Sequence, residues 1–386
     1  MVSDLSILAG RVRDFIAICT DESASEHNHN PDFRIHADAE FNGLALMLFT
    51  LQFNHNAAYR KICEARKISP NSVNHWTGIP AAPTAAFKEL ELTSLSPAQR
   101  IHVFHSSGTT GQIPSRHFHS AESLAVYEAS ALAWFRLHVP PAKHLIMLTP
   151  PPVQTPHSSL VHMFEIVRQE FHAPASSFLG RLASDNSWTL DFDGAVRALD
   201  EASQRYESIV ILGTAFSFVH LLDHLAKKNL RFNLPRESRV METGGYKNRS
   251  RILPKAELHR LIEDRLGVPP AQIICEYGMS ELSSQAYDQS LDKSCFTFHV
   301  SRTFHFPPWA RIQVLSPETG REVADGETGL LRIYDLANVF SVLAIQTEDL
   351  AIRRGDGFEL LGRASESEPR GCSLMSLDSQ IANRKS

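Results

Sequence analysis

The sequence predicts an α/β fold in which mixed sheets are layered with helices and a β-rich subdomain follows. Short apolar runs at residues 145–148 and 208–212 end in turn residues and are followed by helical patterns. Repeated strand–helix units with short connections are typical of layered α/β folds, which bind ligands at the carboxyl ends of their strands. Later the pattern changes to short strands joined by turns, at residues 311–315, 330–334 and 358–361.

The first part of the chain has a mainly helical pattern. Apolar side chains at Phe41, Leu44 and Leu48 follow helical spacing, and a second helical segment covers residues 57–66. The longest apolar stretch, residues 44–53, is too short to span a bilayer and indicates a buried helix. No basic segment followed by an apolar one opens the chain, so the sequence does not indicate a signal peptide.

Composition excludes several classes of protein. The 386 residues, of which 43% are hydrophobic, can bury a sizeable core. A net charge of -5 without a basic stripe disfavours a nucleic-acid-binding protein. The cysteines are widely spaced, without a Cys-x-x-Cys pair, at Cys19, Cys63, Cys275, Cys295 and Cys372. This spacing is typical of a reducing cytoplasm rather than of a disulfide framework or a zinc site, so we expect a cytoplasmic protein.

Residues 105–111, His-Ser-Ser-Gly-Thr-Thr-Gly, are the most informative stretch. Gly108 and Gly111 permit a sharp turn and a close approach to an anion. Hydroxyl groups that can donate to phosphate oxygens come from Ser106, Ser107, Thr109 and Thr110. The stretch lacks the lysine of the Gly-Lys-Ser/Thr phosphate loop, which disfavours an ordinary kinase or GTPase. On composition alone, a flexible surface turn is an equal alternative to a phosphate-binding loop.

A second stretch, Glu-Tyr-Gly-Met-Ser-Glu at residues 276–281, follows the apolar strand at residues 273–275. An aromatic ring, a glycine and a carboxylate at the end of a strand are compatible with a binding site. Considered alone, the final carboxylate is better explained by a favourable position at a helix N-terminus. Cys275 within the strand is interpreted as a small buried hydrophobic residue.

The Ser-Ser-Gly-Thr-Thr-Gly loop resembles the phosphate-binding signature of the adenylate-forming superfamily of acyl-CoA synthetases, adenylation domains and luciferases. Further motifs follow in the family's order, including Gly244-Gly245, Tyr277 to Glu281, and Thr-Glu-Asp-Leu at residues 347–350. Together with Ile-Pro at 79–80, Phe-Lys at 87–88 and Gly213-Thr214, the set is similar to the acyl-protein synthetase (LuxE-type) branch. This resemblance covers nearly the whole chain beyond about residue 35.

The resemblance implies the large N-terminal domain of an adenylate-forming enzyme without a full C-terminal domain. We accordingly divide the chain into a mainly helical segment at 1–100, an adenylation core at 101–362 and a short tail at 363–386. The family's catalytic lysine lies in the further C-terminal domain, and Lys385 lacks the motif that surrounds it.

The resemblance also implies an ATP site that uses Mg²⁺. By analogy, the ring of Tyr277 stacks on adenine, Asp349 binds the ribose hydroxyls, and the catalytic Glu281 helps to hold magnesium. The residues implied to bind ATP are Ser106, Ser107, Gly108, Thr109, Thr110, Gly111, Gly244, Gly245, Tyr277, Gly278, Ser280, Asp349 and Arg363. Glu348 departs from the family pattern, which has a glycine at this position.

Enzymes of this branch activate a fatty acid with ATP as acyl-AMP, transfer the acyl group to their own cysteine and pass it to a reductase. The matching cysteine is Cys372, which lies in an Arg-Gly-Cys context near the end of the chain. Arg370 beside it can lower the thiol pKa and so raise the reactive thiolate fraction. Gly213, Thr214, Phe216 and Phe218, with the proline turn at 150–152, are candidates for an acyl pocket, and core packing is an equal alternative.

Two other functions remain open from the sequence. An acyl- or aryl-CoA ligase resembling phenylacetate-CoA ligase would use CoA as the acceptor in place of Cys372. A non-catalytic nucleotide-binding subunit of a reductase complex is the alternative from another class, because the lysine-bearing domain is missing. A reductase or a carrier protein is the expected macromolecular partner in the leading hypothesis.

Overall fold

The computed structural model describes residues 3–20, 31–106, 113–173, 176–184, 187–244, 253–288 and 302–364. These residues form helices packed on one large mixed sheet, which confirms the predicted α/β fold class. None of the helices in these ranges is both long enough and apolar enough to cross a membrane.

Four α-helices lie in the described part of the first hundred residues. The helices are α1 (Asp4–Thr20), α2 (Pro31–His55), α3 (Ala57–Ala65) and α4 (Ala86–Glu89). Phe41, Leu44 and Leu48 of α2 are fully buried, which confirms the predicted apolar face. Between α2 and α3, Asn56 begins the second helix, because its side chain accepts a hydrogen bond from the Tyr59 amide at 3.0 Å.

The remaining helices alternate with strands in the middle of the chain. They are α5 (Ala121–His138), α6 (Ser159–Glu170), α7 (Phe192–Arg205), α8 (Ala215–Lys227) and α9 (Lys255–Leu266). Ser120 begins α5, since its hydroxyl accepts from the Ser123 amide at 3.2 Å. Ser158 begins α6 in the same way, with 3.3 Å to the Val161 amide.

Strands occur at each of the predicted runs, with shifts of a few residues, and further strands lie between them. The first eight are β1 (Ala82–Pro83), β2 (His102–His105), β3 (Arg116–His119), β4 (His144–Met147), β5 (Ser177–Phe178), β6 (Gly180–Leu182), β7 (Trp188–Leu190) and β8 (Ile209–Thr214). The others are β9 (Arg239–Thr243), β10 (Ile273–Tyr277), β11 (Ala286–Asp288), β12 (Phe304–His305), β13 (Ala310–Leu315), β14 (Thr328–Asp335), β15 (Ala344–Arg354) and β16 (Gly357–Arg363).

Twelve of the described strands form a single sheet with a parallel half and an antiparallel half. The parallel half has the order β5-β4-β8-β9-β10. The antiparallel half continues through β11, β12, β16, β15, β14 and β13, and β1 adds to β15 in parallel. The β-rich part that the sequence indicated is therefore continuous with the parallel strands.

The parallel half is apolar on both faces, as expected for strands covered by helices on both sides. Ile211 and Val240 face the core formed with α7, α8 and α9. Leu212 and Met241 alternate to the other face, where they join the core formed with α5 and α6. The N-terminal helices instead pack against the antiparallel half, in a third core that contains Tyr334.

Close backbone packing beside β4 requires glycine at one position. A Cβ atom added to Gly180 would lie 2.2 Å from the carbonyl carbon of Thr149. We expect Gly180→Ala to lower the free energy of unfolding by roughly 1–3 kcal/mol in urea denaturation, because backbone atoms cannot move aside cheaply. Gly43→Ala is the matched control, since Gly43 lies in α2 with open space around it. That variant should gain roughly 0.5–1 kcal/mol from helix propensity, and an equal loss in both variants would contradict the packing argument.

Candidate active site

The β2–β3 hairpin holds the two ends of the predicted phosphate loop together. The Ser115 amide donates to the Ser106 hydroxyl at 2.9 Å, and the Ser106 amide donates to the Ser115 carbonyl at 3.3 Å. Ser106 is thus the one predicted loop residue whose placement the structure describes. The others lie outside the described residues, namely Ser107, Gly108, Thr109, Thr110 and Gly111.

Glu281 lies beside this hairpin and is 5% exposed. Its Oε1 accepts a short hydrogen bond from the Ser115 hydroxyl, and its Oε2 accepts one from the Ser280 hydroxyl at 3.0 Å. Among the described residues, no lysine or arginine forms a salt bridge with this carboxylate. Glu281 therefore presents a carboxylate surrounded by hydroxyl oxygens next to the predicted phosphate loop.

His117 joins the hairpin to the same segment. Its Nδ1 lies 2.9 Å from the Ser280 carbonyl oxygen and donates to it. Burial lowers the pKa of His117 to about 4, so the imidazole is neutral at pH 7 and carries its proton toward the carbonyl. The pair fixes the main chain immediately before Glu281.

Tyr277 and Asp349 meet although 72 residues separate them in the chain. The Tyr277 hydroxyl donates to the Asp349 Oδ2 at 2.7 Å. Arg363 approaches the other oxygen, with its Nε 3.9 Å from the Asp349 Oδ1. Burial, followed by the nearby Asp349 carboxylate, raises the pKa of Tyr277, which keeps this phenol protonated and a donor. The structure thus brings together three residues that the sequence assigned to one nucleotide.

The structure requires glycine at the ends of β9 and β10 for two different reasons. Gly244 has a φ of +70°, in the left-handed region that glycine adopts without strain. At Gly278, a Cβ atom would lie 2.2 Å from the Oε1 of Glu276. Gly245 lies outside the described residues. Both described glycines sit at carboxyl ends of parallel strands, where layered α/β folds bind their ligands.

Two of the residues predicted for the acyl pocket have structural roles. A Cβ atom at Gly213 would lie 3.0 Å from Leu148 and 3.2 Å from Phe218, so Gly213 belongs to a packed core. Thr214 begins α8, where its hydroxyl accepts from the Ser217 amide at 3.3 Å. Phe216 in the first turn of that helix is 7% exposed. The acyl pocket remains a prediction.

A cavity of about 410 Å³ lies beside the proline turn that was a candidate for the wall of an acyl channel. Pro151, Pro152 and Val153 line one side of it, and Phe178 of β5 lines another. Glu165 and Arg168 of α6 add an ion pair at 2.6 Å.

The environment of Cys275 differs from the predicted apolar one. The residue is fully buried, as expected, but its thiol donates to the Glu242 Oε1 at 2.9 Å. Lys255 lies 3.3 Å from the same oxygen. Although burial raises it, the charges of Lys255 and His259 bring the pKa of Glu242 down to about 2. Cys275 is therefore a buried core residue on its strand, as predicted, and its thiol also contacts an ionic group that the sequence did not indicate.

This group of residues also has the composition of a metal site. Ligand atoms of Glu242, His259 and Cys275 lie within 4.8 Å of one another. The group contains two carboxylates, those of Glu242 and Asp288. Lys255 lies 3.3 Å from the first, and Arg302 lies 2.9 Å from the second, so two positive charges balance the two negative ones. A divalent cation would add uncompensated positive charge, so the group is a charge-balanced network that ties β9 to β10 and α9.

Sequence reasoning missed Ser115 and His117, which contact the segment that contains Glu281. It also missed Asn338, whose side-chain amide donates to the Glu281 carbonyl at 3.0 Å. None of these residues belongs to a motif quoted above, and each lies far from Glu281 in the chain. Only the folded structure shows that these three residues contact the Glu281 segment. Cys372, the predicted nucleophile, lies outside the described residues.

Comparison with known proteins finds relatives among curated sequences and similar folds among solved structures. Among curated proteins, the long-chain-fatty-acid–luciferin-component ligase of Aliivibrio fischeri is 26% identical over 344 residues, covering 84% of this chain and 85% of that protein. The Vibrio harveyi ligase of the same name is 22% identical over 337 residues, covering 84% of each. Among solved structures, 2-hydroxyisobutyryl-CoA ligase in complex with 2-HIB-AMP is similar in fold, with a TM-score of 0.59.

That structural match has 14% sequence identity and covers 85% of this chain and 68% of the ligase, so it carries information on the fold alone. A family model gives the assignment. The model of the acyl-protein synthetase family LuxE matches residues 36–381. This range includes the hairpin, Glu281, the Tyr277–Asp349 pair and Cys372. The chain therefore belongs to the LuxE family of acyl-protein synthetases.

Proposed function

We propose that this chain activates a fatty acid, or a related carboxylic acid, with ATP and then transfers the acyl group to a cysteine thiol. The proposal is carried by the convergence of distant motifs on the carboxyl ends of β9 and β10. Tyr277 contacts Asp349 across 72 residues, and Ser115 contacts Glu281 across 166. Family membership and the related ligases named above support the same chemistry.

In this proposal the nucleotide lies across the ends of these strands. The ring of Tyr277 stacks on adenine, and Asp349 accepts from the ribose hydroxyls. Tyr277 orients Asp349 through its hydroxyl, and Arg363 lies close enough to reach the ribose or a phosphate. The loop from Ser106 to Gly111, held at its base by Ser115, binds the phosphates.

The residues around Glu281 fit a magnesium ion. Mg²⁺ prefers oxygen ligands and keeps several waters, so one carboxylate with neighbouring hydroxyls suits it. Glu281 offers such a carboxylate, and the hydroxyls of Ser115 and Ser280 adjoin it. When bound, the ion offsets phosphate charge. The protein's part is to hold the Glu281 carboxylate in place through the Ser115 and Ser280 hydroxyls.

The chemistry has two steps. An oxygen of the substrate carboxylate attacks the α-phosphorus of ATP, and the bond to the β-phosphate oxygen breaks to release pyrophosphate. The Cys372 thiolate then attacks the carbonyl carbon of the acyl-adenylate, and the carbon–oxygen bond to phosphate breaks to release AMP. The resulting thioester is poised for delivery to a reductase or a carrier protein. Phe216 and the proline-lined cavity are the candidates for contact with the acyl chain, whereas Gly213 and Thr214 have structural roles in the core and at the start of α8.

The test uses purified protein, ATP, magnesium and a panel of radiolabelled fatty acids. We expect label to remain on the denatured wild-type protein and to be released by hydroxylamine, as a thioester is. Cys372→Ser should lose this labile label, whereas Cys295→Ser, a change at a cysteine without an assigned role, should keep it.

Other outcomes would contradict parts of the proposal. Pyrophosphate release that consumes CoA and leaves the protein unlabelled would identify a CoA ligase. The absence of carboxylate-dependent exchange of pyrophosphate into ATP with every acid would leave a non-catalytic nucleotide-binding subunit.

A further inference from the structure

We propose that Gln52 and Asn338 form a positioning relay through which the N-terminal helical layer fixes Glu281. Helix α2 holds the loop between β14 and β15 through Gln52, and this loop holds the main chain at Glu281 through Asn338. The proposal rests on the proposed function, in which Glu281 is the ligand of magnesium.

The inner half of the relay is Asn338, which is 1% exposed. Its Nδ2 donates to the Glu281 carbonyl at 3.0 Å and to the Val342 carbonyl at 3.1 Å. Its Oδ1 accepts from the Ser283 hydroxyl at 2.7 Å. One amide side chain thus holds the segment at Glu281 and again two residues later.

Asp335 secures the continuation of that segment. Its Oδ2 accepts from the amides of Ser283 and Ser284 at 2.9 and 2.8 Å. Its Oδ1 accepts from the Ser284 hydroxyl at 2.7 Å. The turn that follows Glu281 is thus bonded by Asn338 at its start and by Asp335 at its end, and it has little freedom to move on its own.

The outer half of the relay is Gln52 of α2, which is fully buried. Its Nε2 donates to the Asn338 carbonyl at 2.8 Å and to the Val339 carbonyl at 3.2 Å. Its Oε1 accepts from the Leu343 amide at 2.9 Å. Gln52 therefore satisfies backbone groups on both sides of the loop, and its nearest contact is with Asn338 itself.

Asn56 gives a comparison within the same helix–loop contact. It lies one turn after Gln52, is also fully buried, and donates from its Nδ2 to the Ser341 carbonyl at 3.3 Å. It forms no hydrogen bond with Asn338 among those of the described residues. Replacement of either residue removes buried hydrogen bonds to the loop. Gln52 bonds the Asn338 carbonyl directly, whereas Asn56 reaches it only through Ser341, whose amide donates to that carbonyl at 3.2 Å.

The expected consequence concerns metal affinity. Groups that orient a metal ligand without touching the metal typically change affinity by about 10–100-fold when they are removed. Loss of Asn338 or Gln52 lets the Glu281 main chain shift by fractions of an ångström, which misplaces its carboxylate. Both residues are thus positioning residues that act through Glu281.

The experiment compares Asn338→Ala, Gln52→Ala and Asn56→Ala with the wild type. Hydrogen–deuterium exchange of peptides covering residues 280–285, without nucleotide, reports whether the segment is held. Mn²⁺ titration followed by electron paramagnetic resonance, with a non-hydrolysable ATP analogue bound, reports metal affinity without turnover. In Asn338→Ala and Gln52→Ala we expect faster exchange and an affinity for Mn²⁺ that is lower by about 10-fold or more. In Asn56→Ala we expect neither change.

Unchanged exchange at residues 280–285 in Asn338→Ala and Gln52→Ala would overturn the relay. Faster exchange with unaltered Mn²⁺ affinity would overturn its link to the metal, as would equal losses of affinity in Gln52→Ala and Asn56→Ala. Wild-type protein that binds Mn²⁺ with the analogue but catalyses no pyrophosphate exchange would contradict the proposed function instead, while the comparison of variants still decides the relay.

Discussion

Glu281→Gln is expected to reduce carboxylate-dependent exchange of pyrophosphate into ATP by about 10²–10³-fold, because a metal ion contributes several kcal/mol to stabilising charge in such reactions. Glutamine has the same shape. Its amide oxygen can accept from one of the Ser115 and Ser280 hydroxyls, and its NH2 group can donate to the oxygen of the other, so the segment should stay folded. The substitution removes the negative charge that attracts the cation. Initial rates over a range of magnesium concentrations would measure the effect.

Ser115→Ala is the graded companion to this change. The substitution removes the hydroxyl that donates to the Glu281 carboxylate but keeps the negative charge of that carboxylate. A hydrogen bond to a charged group contributes about 1.5–3 kcal/mol. We therefore expect a smaller loss of exchange than in Glu281→Gln, with thermal unfolding as a check that both variants are folded. Full activity in Glu281→Gln would exclude this carboxylate as the metal ligand.

Glu276→Gln should stabilise the protein at pH 8 by about 3 kcal/mol and leave its stability near pH 4 unchanged. Burial, opposed in part by the hydrogen bond from Thr243, raises the pKa of Glu276 from 4.5 to about 7. In the unfolded chain this carboxyl ionises near its usual pKa, so between pH 4.5 and 7 ionisation favours the unfolded state. The wild type therefore loses stability as pH rises through this window, and the variant lacks that loss.

Charged and titratable groups near Glu276 do not change the sign of this expectation. Glu242 adds to the rise in its pKa, whereas Lys255 opposes it. Tyr127 stays protonated because burial, reinforced by Glu276, raises its pKa. Urea denaturation of both proteins at several pH values between 4 and 8 would give the difference directly. A difference that does not vary with pH would show that Glu276 ionises normally in the folded protein.

Local patterns were sufficient to predict several elements of the fold. Apolar periodicity located α2, and apolar runs located β4, β8 and β10, because side-chain spacing reports which face of an element is buried. The order of motifs placed Tyr277, Glu281 and Asp349 in one site. The continuity of the C-terminal strands with the parallel half was not predicted, since no local pattern specifies which strands become neighbours.

The contacts that hold the site together could not be predicted in the same way. Ser115 and Glu281 are 166 residues apart, and Asn338 and Glu281 are 57 apart. The sequence does not distinguish a serine or an asparagine of the site from one in a solvated turn, because both residues are common in such turns. At Cys275 the sequence predicted the burial but not the ionic side chains that reach the thiol from β9, from α9 and from Arg302.

The contact between α2 and the loop after β14 also affects how the chain matures on a ribosome. Gln52 bonds residues that lie 286 and 287 positions later, so its partners do not yet exist when α2 emerges. At translation rates of roughly 5–20 residues per second, this interval lasts roughly 15–60 s. A buried amide and the apolar face around it stay uncovered during that time. Nascent chains of this protein should therefore depend on chaperones until β15 has been synthesised.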